Sequence, residues 1–208
     1  MYLKLSESFV AMDINDKAIT KEKFLKEMMT AKYVPVRMRS DNPTYKLYPI
    51  KSVGDPMIPR LIGSLGKLNY TYFKMEGQKI PSLRLTDING HSYNPSDTKG
   101  RIIVMKFWYI SCVMCVKEMP VLNDLVDSYK HSKNVEFISL AFNDAPKLRE
   151  FLKEHRFLYP VIPNMESYAE KLKIPSFPTH LIVRDGKILK AVGSAQELIT
   201  EMKKQIKS

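Results

Sequence analysis

Cys112 and Cys115 are the only cysteines in this chain of 208 residues, and two residues separate them. They follow an apolar run, Ile102-Ile-Val-Met-Lys-Phe-Trp-Tyr-Ile110. Beyond them Cys115, Met119, Leu122, Val126 and Tyr129 recur at three and four residues, which puts them on one helical face. The segment therefore reads as strand, short turn and helix, with Cys112 at the helix opening and Cys115 one turn inside. Unpaired N–H groups and the partial positive charge at a helix start stabilise a thiolate. In that setting Cys112 can attack a disulfide, and the more enclosed Cys115 can resolve the mixed disulfide that results.

Other chemistries use the same spacing. A structural zinc site needs four ligands, but His91, His131, His155 and His180 are scattered with no helical or knuckle spacing. Two small core cysteines would need no partner at all, yet their place at a strand–helix junction favours reactivity.

The rest of the chain must position this pair. With 44% hydrophobic and 26% charged residues it can bury a core and keep a solvated surface. No apolar run approaches the roughly eighteen residues that span a bilayer. Met1-Tyr-Leu-Lys-Leu-Ser lacks a basic start and an apolar core. No signal peptide is expected, so the chain either stays in the cytosol or is a mature or trimmed form. The formal charge of +11 is spread, with no basic run beyond pairs such as Lys203-Lys204. A lysine-rich solvated surface is expected, with no nucleic-acid partner.

From about residue 80 strand and helix patterns alternate. Residues 81–90 break at Asn89-Gly90, a hairpin signal, and residues 91–95 return. Ile102–Trp108 is almost wholly apolar, as in a strand covered on both faces. A helix over 113–130 follows, with a kink expected at Pro120. Val135–Phe142 is a second apolar strand. Asn143-Asp144 caps a helix over 146–155. An edge strand at 159–163 and a short helix at 166–172 lead to strands 179–183 and 187–192, joined across Asp185-Gly186. A helix over 195–206 closes the chain.

The first 75 residues read differently. A strand is expected at 8–14, a helix from Thr20 to about Thr30, and a hairpin from 33–39 and 44–50. Gly54, Pro56, Pro59, Gly63 and Gly66 then mark an irregular connector. No catalytic cluster is visible there, and the segment reads as a small packing or partner-docking module.

Phe107-Trp-Tyr-Ile-Ser-Cys-Val-Met-Cys-Val-Lys-Glu-Met-Pro120 and Ile174-Pro-Ser-Phe-Pro-Thr-His-Leu-Ile-Val183 together resemble the thioredoxin superfamily. The closer resemblance is to its TlpA/ResA-like extracytoplasmic thiol–disulfide oxidoreductases, and it covers about residues 76–208. The first part resembles the N-terminal extensions of such proteins in Bacteroidetes-type bacteria. The resemblance implies an α/β fold: a central mixed sheet flanked by helices over 76–208, with a small α+β extension over 1–75. It implies catalysis by Cys112, Cys115 and Glu118, with Glu118 managing the Cys115 proton through a raised pKa. It implies client contacts from Trp108, Tyr109, Phe177, Pro178 and Thr179. Pro178 matches the family's cis-proline and Pro175 is the rival. No cofactor is expected, only a disulfide-containing client, an upstream dithiol donor, and any membrane tether upstream of Met1. The implied compartment is periplasmic or otherwise extracytoplasmic, and reduction of clients is the expected direction.

Three departures from the family pattern stand out. Lys106 occupies a place where thioredoxins bury an acid, and its stem is expected to lie along the strand with the head in water. Ser111 precedes the first cysteine, and Val113-Met114 lie between the two. An alternative function is Cu(I) carriage by the two thiolates with Met114 and His180. His180 is otherwise expected simply to occupy a strand face. A peroxidase is disfavoured because no threonine and arginine flank Cys112.

Overall fold

The computed structural model describes residues 3–50 and 57–205, and the chain divides into two compact units, Met1–Lys74 and Met75–Ser208. The first unit runs β1 (Val10–Met12), β2 (Ala18–Ile19), α1 (Lys21–Met29), β3 (Tyr33–Arg37), β4 (Thr44–Pro49) and α2 (Met57–Met75). Its sheet has the order β2-β1-β4-β3, with β1 and β4 parallel. Thr20 caps α1 by accepting from the Lys23 N–H at 3.2 Å. Phe24, Leu25 and Met28 of α1 pack on Tyr45 and Leu47 of β4. Pro35 is tolerated because β3 is an edge strand.

The expected irregular connector is a helix of 19 residues. Pro59 falls in its first turn, where the missing N–H would have no intrahelical acceptor. Gly66 is not a breaker either. A Cβ there would lie 2.8 Å from the Met28 Cβ and the Met29 nitrogen, so glycine permits the helix to cross close to α1. Gly54 and Pro56 lie outside the described residues.

The second unit opens with β5 (Leu85–Thr86) and β6 (Ser92–Tyr93), a hairpin of two-residue strands. Then come β7 (Ile102–Trp108), α3 (Val113–Lys117), α4 (Met119–Tyr129), β8 (Val135–Ala141), α5 (Ala145–Glu154) and β9 (Val161–Ile162). The chain ends with α6 (Glu166–Lys171), β10 (Thr179–Arg184), β11 (Lys187–Val192) and α7 (Ala195–Gln205). The mixed sheet has the order β11-β10-β7-β8-β9. Its three strands β7, β8 and β9 are parallel, and β10 is antiparallel to β7. All seven residues of β7 are buried, as its apolar sequence requires of a central strand covered on both faces. This is the helix-flanked mixed α/β sheet expected from the sequence.

Ile102 and Val104 of β7 meet Leu122 and Leu125 of α4 and Leu198 and Met202 of α7. Asp185 and Gly186 both take positive φ in the β10–β11 turn, and Asp185 Oδ1 accepts from the Gly100 N–H at 2.8 Å. The expected single kinked helix is broken into α3 and α4 at Glu118, because Pro120 opens the second helix instead of continuing the first. Among the described residues no helix is long and apolar enough to cross a membrane.

Candidate active site

The parallel arrangement of β7 and β8 brings their C-terminal ends together. The Phe142 N–H donates to the Trp108 carbonyl at 3.1 Å, and the Ile110 N–H donates to Asn143 Oδ1 at 2.9 Å. These bonds fix the turn that delivers Cys112 to the start of α3. Cys112 is the N-cap, its backbone extended and its Sγ accepting from the Cys115 N–H at 3.3 Å. The two sulfurs are joined in a disulfide, with Cα atoms 5.2 Å apart. Cys112 is 7% exposed and Cys115 is fully buried, so an incoming group reaches Cys112 first. Val113 and Met114, between them, are 64% and 59% exposed.

Tyr109 and Phe177 pack against the cluster that holds the two cysteines, and with Phe142 they form a group of three half-buried rings. Phe142 and Phe177 meet edge-on at 4.8 Å between centroids, and Tyr109 lies 5.6 Å from Phe177 and 6.0 Å from Phe142. Phe142 was not singled out from the sequence. Only its place at the C-terminal end of a parallel strand, where such sheets hold their sites, could have marked it. The Phe177–Pro178 peptide bond is cis, the one such bond among the described residues.

Trp108 and Thr179 are not placed as expected. Trp108 is fully buried, its ring 5.8 Å from both Phe151 and Phe157, and forms the floor under the disulfide. Thr179 is also buried, its hydroxyl donating to the Ser176 carbonyl at 2.7 Å. Neither side chain presents a client surface. Pro178 is buried too, which leaves Tyr109 and Phe177 as the accessible members of the expected set.

Lys106 does not put its head in water. It is fully buried, and its ammonium donates to Glu118 Oε2 at 3.0 Å. His180, opposite Lys106 in the β7–β10 register, places Nε2 3.1 Å from the same oxygen. The Ala195 N–H donates to Glu118 Oε1 at 2.7 Å. The expected raised pKa of Glu118 is therefore reversed. Burial pushes it up, but His180, Lys106 and the Ala195 N–H together bring it down to about 2. Burial holds His180 below the usual histidine range, against the pull of Glu118. Burial likewise lowers Lys106, opposed by its carboxylate partner.

His180 thus occupies a strand face and is engaged by Glu118, while Met114 is turned to solvent. The four-group soft-metal set is not assembled, and no group of three or more metal-binding His, Cys, Asp or Glu occurs among the described residues.

A redox-active cysteine pair capping a helix at the C-terminal edge of this sheet defines a class, and the Redoxin family model matches residues 75–201. The chain belongs to the Redoxin family, and it is a thiol–disulfide oxidoreductase of the ResA/TlpA-like kind. It is 33% identical over 159 residues to the thiol-disulfide oxidoreductase ResA of Bacillus thuringiensis subsp. konkukian, covering 70% of this chain and 90% of that protein. The thioredoxin-like protein YneN of Bacillus subtilis is 24% identical over 156 residues, covering 70% of this chain and 91% of its own length. Among solved structures, a thiol-disulfide oxidoreductase from Bacteroides fragilis shares the fold with a TM-score of 0.55 at 19% identity. It covers 62% of this chain and 99% of that one.

Proposed function

We propose that the protein reduces disulfides in client proteins. The observation that carries this reading is the Cys112 sulfur, the more accessible of the pair, capped by an α3 amide and flanked by the Tyr109–Phe142–Phe177 rings. Cys112, as thiolate, attacks one client sulfur, and the other client sulfur leaves and takes a proton. Cys115 then loses its proton and attacks Cys112 Sγ. The second client thiol leaves, and the 112–115 disulfide forms. The client has gained two electrons and two protons, and the enzyme's dithiol has lost them. A second dithiol protein returns them, so no cofactor takes part.

Tyr109 and Phe177 take part in client contact, and Phe142 joins them. The backbone beside Pro178 pairs with the client strand. Glu118 acts as a carboxylate near Cys115. In this reading the working compartment is extracytoplasmic, as the family resemblance implies.

The test is the equilibrium potential of the Cys112–Cys115 couple in glutathione and dithiothreitol buffers. A value near that of thioredoxin, roughly −270 mV, is expected. A value near roughly −120 mV would reverse the direction to oxidation. Failure to form any reversible couple would remove the reaction itself.

A further inference from the structure

Three titratable side chains from three separate elements meet beside the redox helix, Lys106 and His180 fully buried and Glu118 half-buried. Lys106 comes from the middle of β7, the most buried strand of the sheet. Its neighbours on the same strand face are Val104 and Trp108, each part of an apolar cluster, so Lys106 lies where the pattern calls for another aliphatic residue. Glu118 comes from the α3–α4 break, three residues after Cys115 and hence on the same side of the helix. His180 comes from β10.

An ion pair so enclosed is a poor device for stability, because well-packed apolar residues of similar volume often do as well or better. The contacts suggest another use. Glu118 Oε2 receives Lys106 Nζ and His180 Nε2, and Oε1 receives the Ala195 N–H. With His180 Nε2 facing the carboxylate, Nδ1 is buried with no hydrogen-bond partner. An imidazolium would strand a charged N–H there, so the neutral Nε2–H tautomer is the one that fits. The other groups near the cluster bring no compensating charge. Ser139, beside Lys106 in β8, donates its hydroxyl to the Pro160 carbonyl. Tyr159 has a buried, unpartnered hydroxyl that its burial, and secondarily the charge of Glu118, holds protonated. At the start of α7, Glu197 is bonded to Ser194 and the Gly193 N–H.

We propose that Lys106 is a positioning residue of the dithiol reaction: its buried ammonium fixes Glu118 as a carboxylate and His180 as a neutral Nε2–H imidazole, holding the charge beside the turn of Cys115 at zero. When Cys115 gives up its proton, the thiolate forms next to a fixed cation and a fixed anion, neither of which exchanges protons near neutrality. The couple then responds to pH through its own thiols alone. This rests on the dithiol couple and not on the direction in which it works.

The test compares wild type with Lys106→Met, Glu118→Gln and the double variant from pH 5 to 8. Two readouts are followed: the pH profile of the potential, and the ring ¹⁵N spectrum of His180. In wild type His180 stays neutral, and the profile shows thiol steps only. Lys106→Met leaves the half-buried carboxylate with His180 as its only titratable partner beside the Ala195 N–H. His180 then takes up a proton within the range, and the profile gains one further step. Glu118→Gln leaves an unpaired buried ammonium, which gives a further step with no change at His180. In the double variant both extra steps vanish. A purely structural ion pair predicts lower stability with unchanged profiles, so a folded Lys106→Met protein with wild-type profile and wild-type His180 spectrum overturns the proposal. Should that variant not fold, a further step in Glu118→Gln that the double variant lacks supports it. Identical profiles in those two proteins overturn it.

Discussion

The two units of this chain use the same materials to different ends. Each lays helices on a small sheet, but their interiors differ in kind. Every buried Asp, Glu, Lys, Arg or His among the described residues, namely Asp87, Lys106, His180 and Glu201, lies in the second unit. The core of the first is Phe24, Leu25, Met28, Tyr45, Leu47 and their neighbours. Burying a charge costs several kcal/mol unless it is paired, and a fold made only to pack has no reason to meet that cost. The difference teaches where chemistry sits: the unit with the dithiol also carries the buried ionisable groups.

The largest effect expected from this contrast is on turnover. Cys112→Ser removes the attacking sulfur and abolishes reduction of a disulfide-bonded protein. Cys115→Ser leaves the attack intact but blocks resolution, so a mixed disulfide through Cys112 accumulates and is visible by intact mass. Accumulation in Cys112→Ser instead would exchange the two roles. The potential to be lost resides wholly in the second unit, so neither change should lower the melting temperature of the first.

Acid separates the units next. Glu118 titrates from 4.5 when unfolded to about 2 when folded, so its stabilisation is complete above pH 4.5 and is lost as pH falls from there towards 2. His180 is held below 6.5 in the fold, so the unfolded chain binds its proton first and stability begins to fall below pH 6.5. The lowered carboxylates of the first unit, Asp13 and Glu22, are partly exposed, and solvent screens them. Calorimetry from pH 7 to 3 should show the transition of the second unit dropping faster than that of the first. Parallel shifts would deny the buried cluster its part in stability.

A third test addresses the first unit alone. Gly66→Ala puts a methyl 2.8 Å from Met28 Cβ, and the helices must part to admit it. A loss of about 1–3 kcal/mol is expected from chemical denaturation, partly offset by the better helix propensity of alanine. An unchanged or raised midpoint would show that the crossing tolerates separation. The couple in the second unit should keep its potential in either case.

How much of this was legible depends on whether a residue acts locally or across the fold. The strand–turn–helix around Cys112 was legible because period, burial pattern and cap all lie within thirty residues. The β10–β11 hairpin was legible for the same reason, through Asp185-Gly186. Helix α2 was not, since Gly63 and Gly66 are local breakers whose real cause is a neighbour some 35 residues away. The triad of Lys106, Glu118 and His180 was not either. Each residue was noticed singly, but their meeting depends on the β7–β10 register, which sequence spacing does not set. The burial of Trp108 followed from its strand position, yet the family likeness pointed to a contact role instead.

The smallest effect distinguishes two sets of rings within the second unit. Phe151 and Phe157 pack on buried Trp108, whereas Phe142, Tyr109 and Phe177 pack on one another; all five rings are half-buried. If the second set meets the client, Phe142→Ala removes one edge-on partner and one contact face. An aromatic pair is worth about 1 kcal/mol beyond its buried area, or roughly fivefold in KM by the usual conversion of 1.4 kcal/mol per factor of ten. The potential and kcat should stay as they are, because no bond to either sulfur or to the triad runs through this ring. Phe157→Leu, in contrast, should lower stability and leave KM untouched. A Phe142→Ala protein with unchanged KM and lowered stability would move Phe142 into the floor with Trp108, and the docking face would then have to be sought at exposed Val113 and Met114.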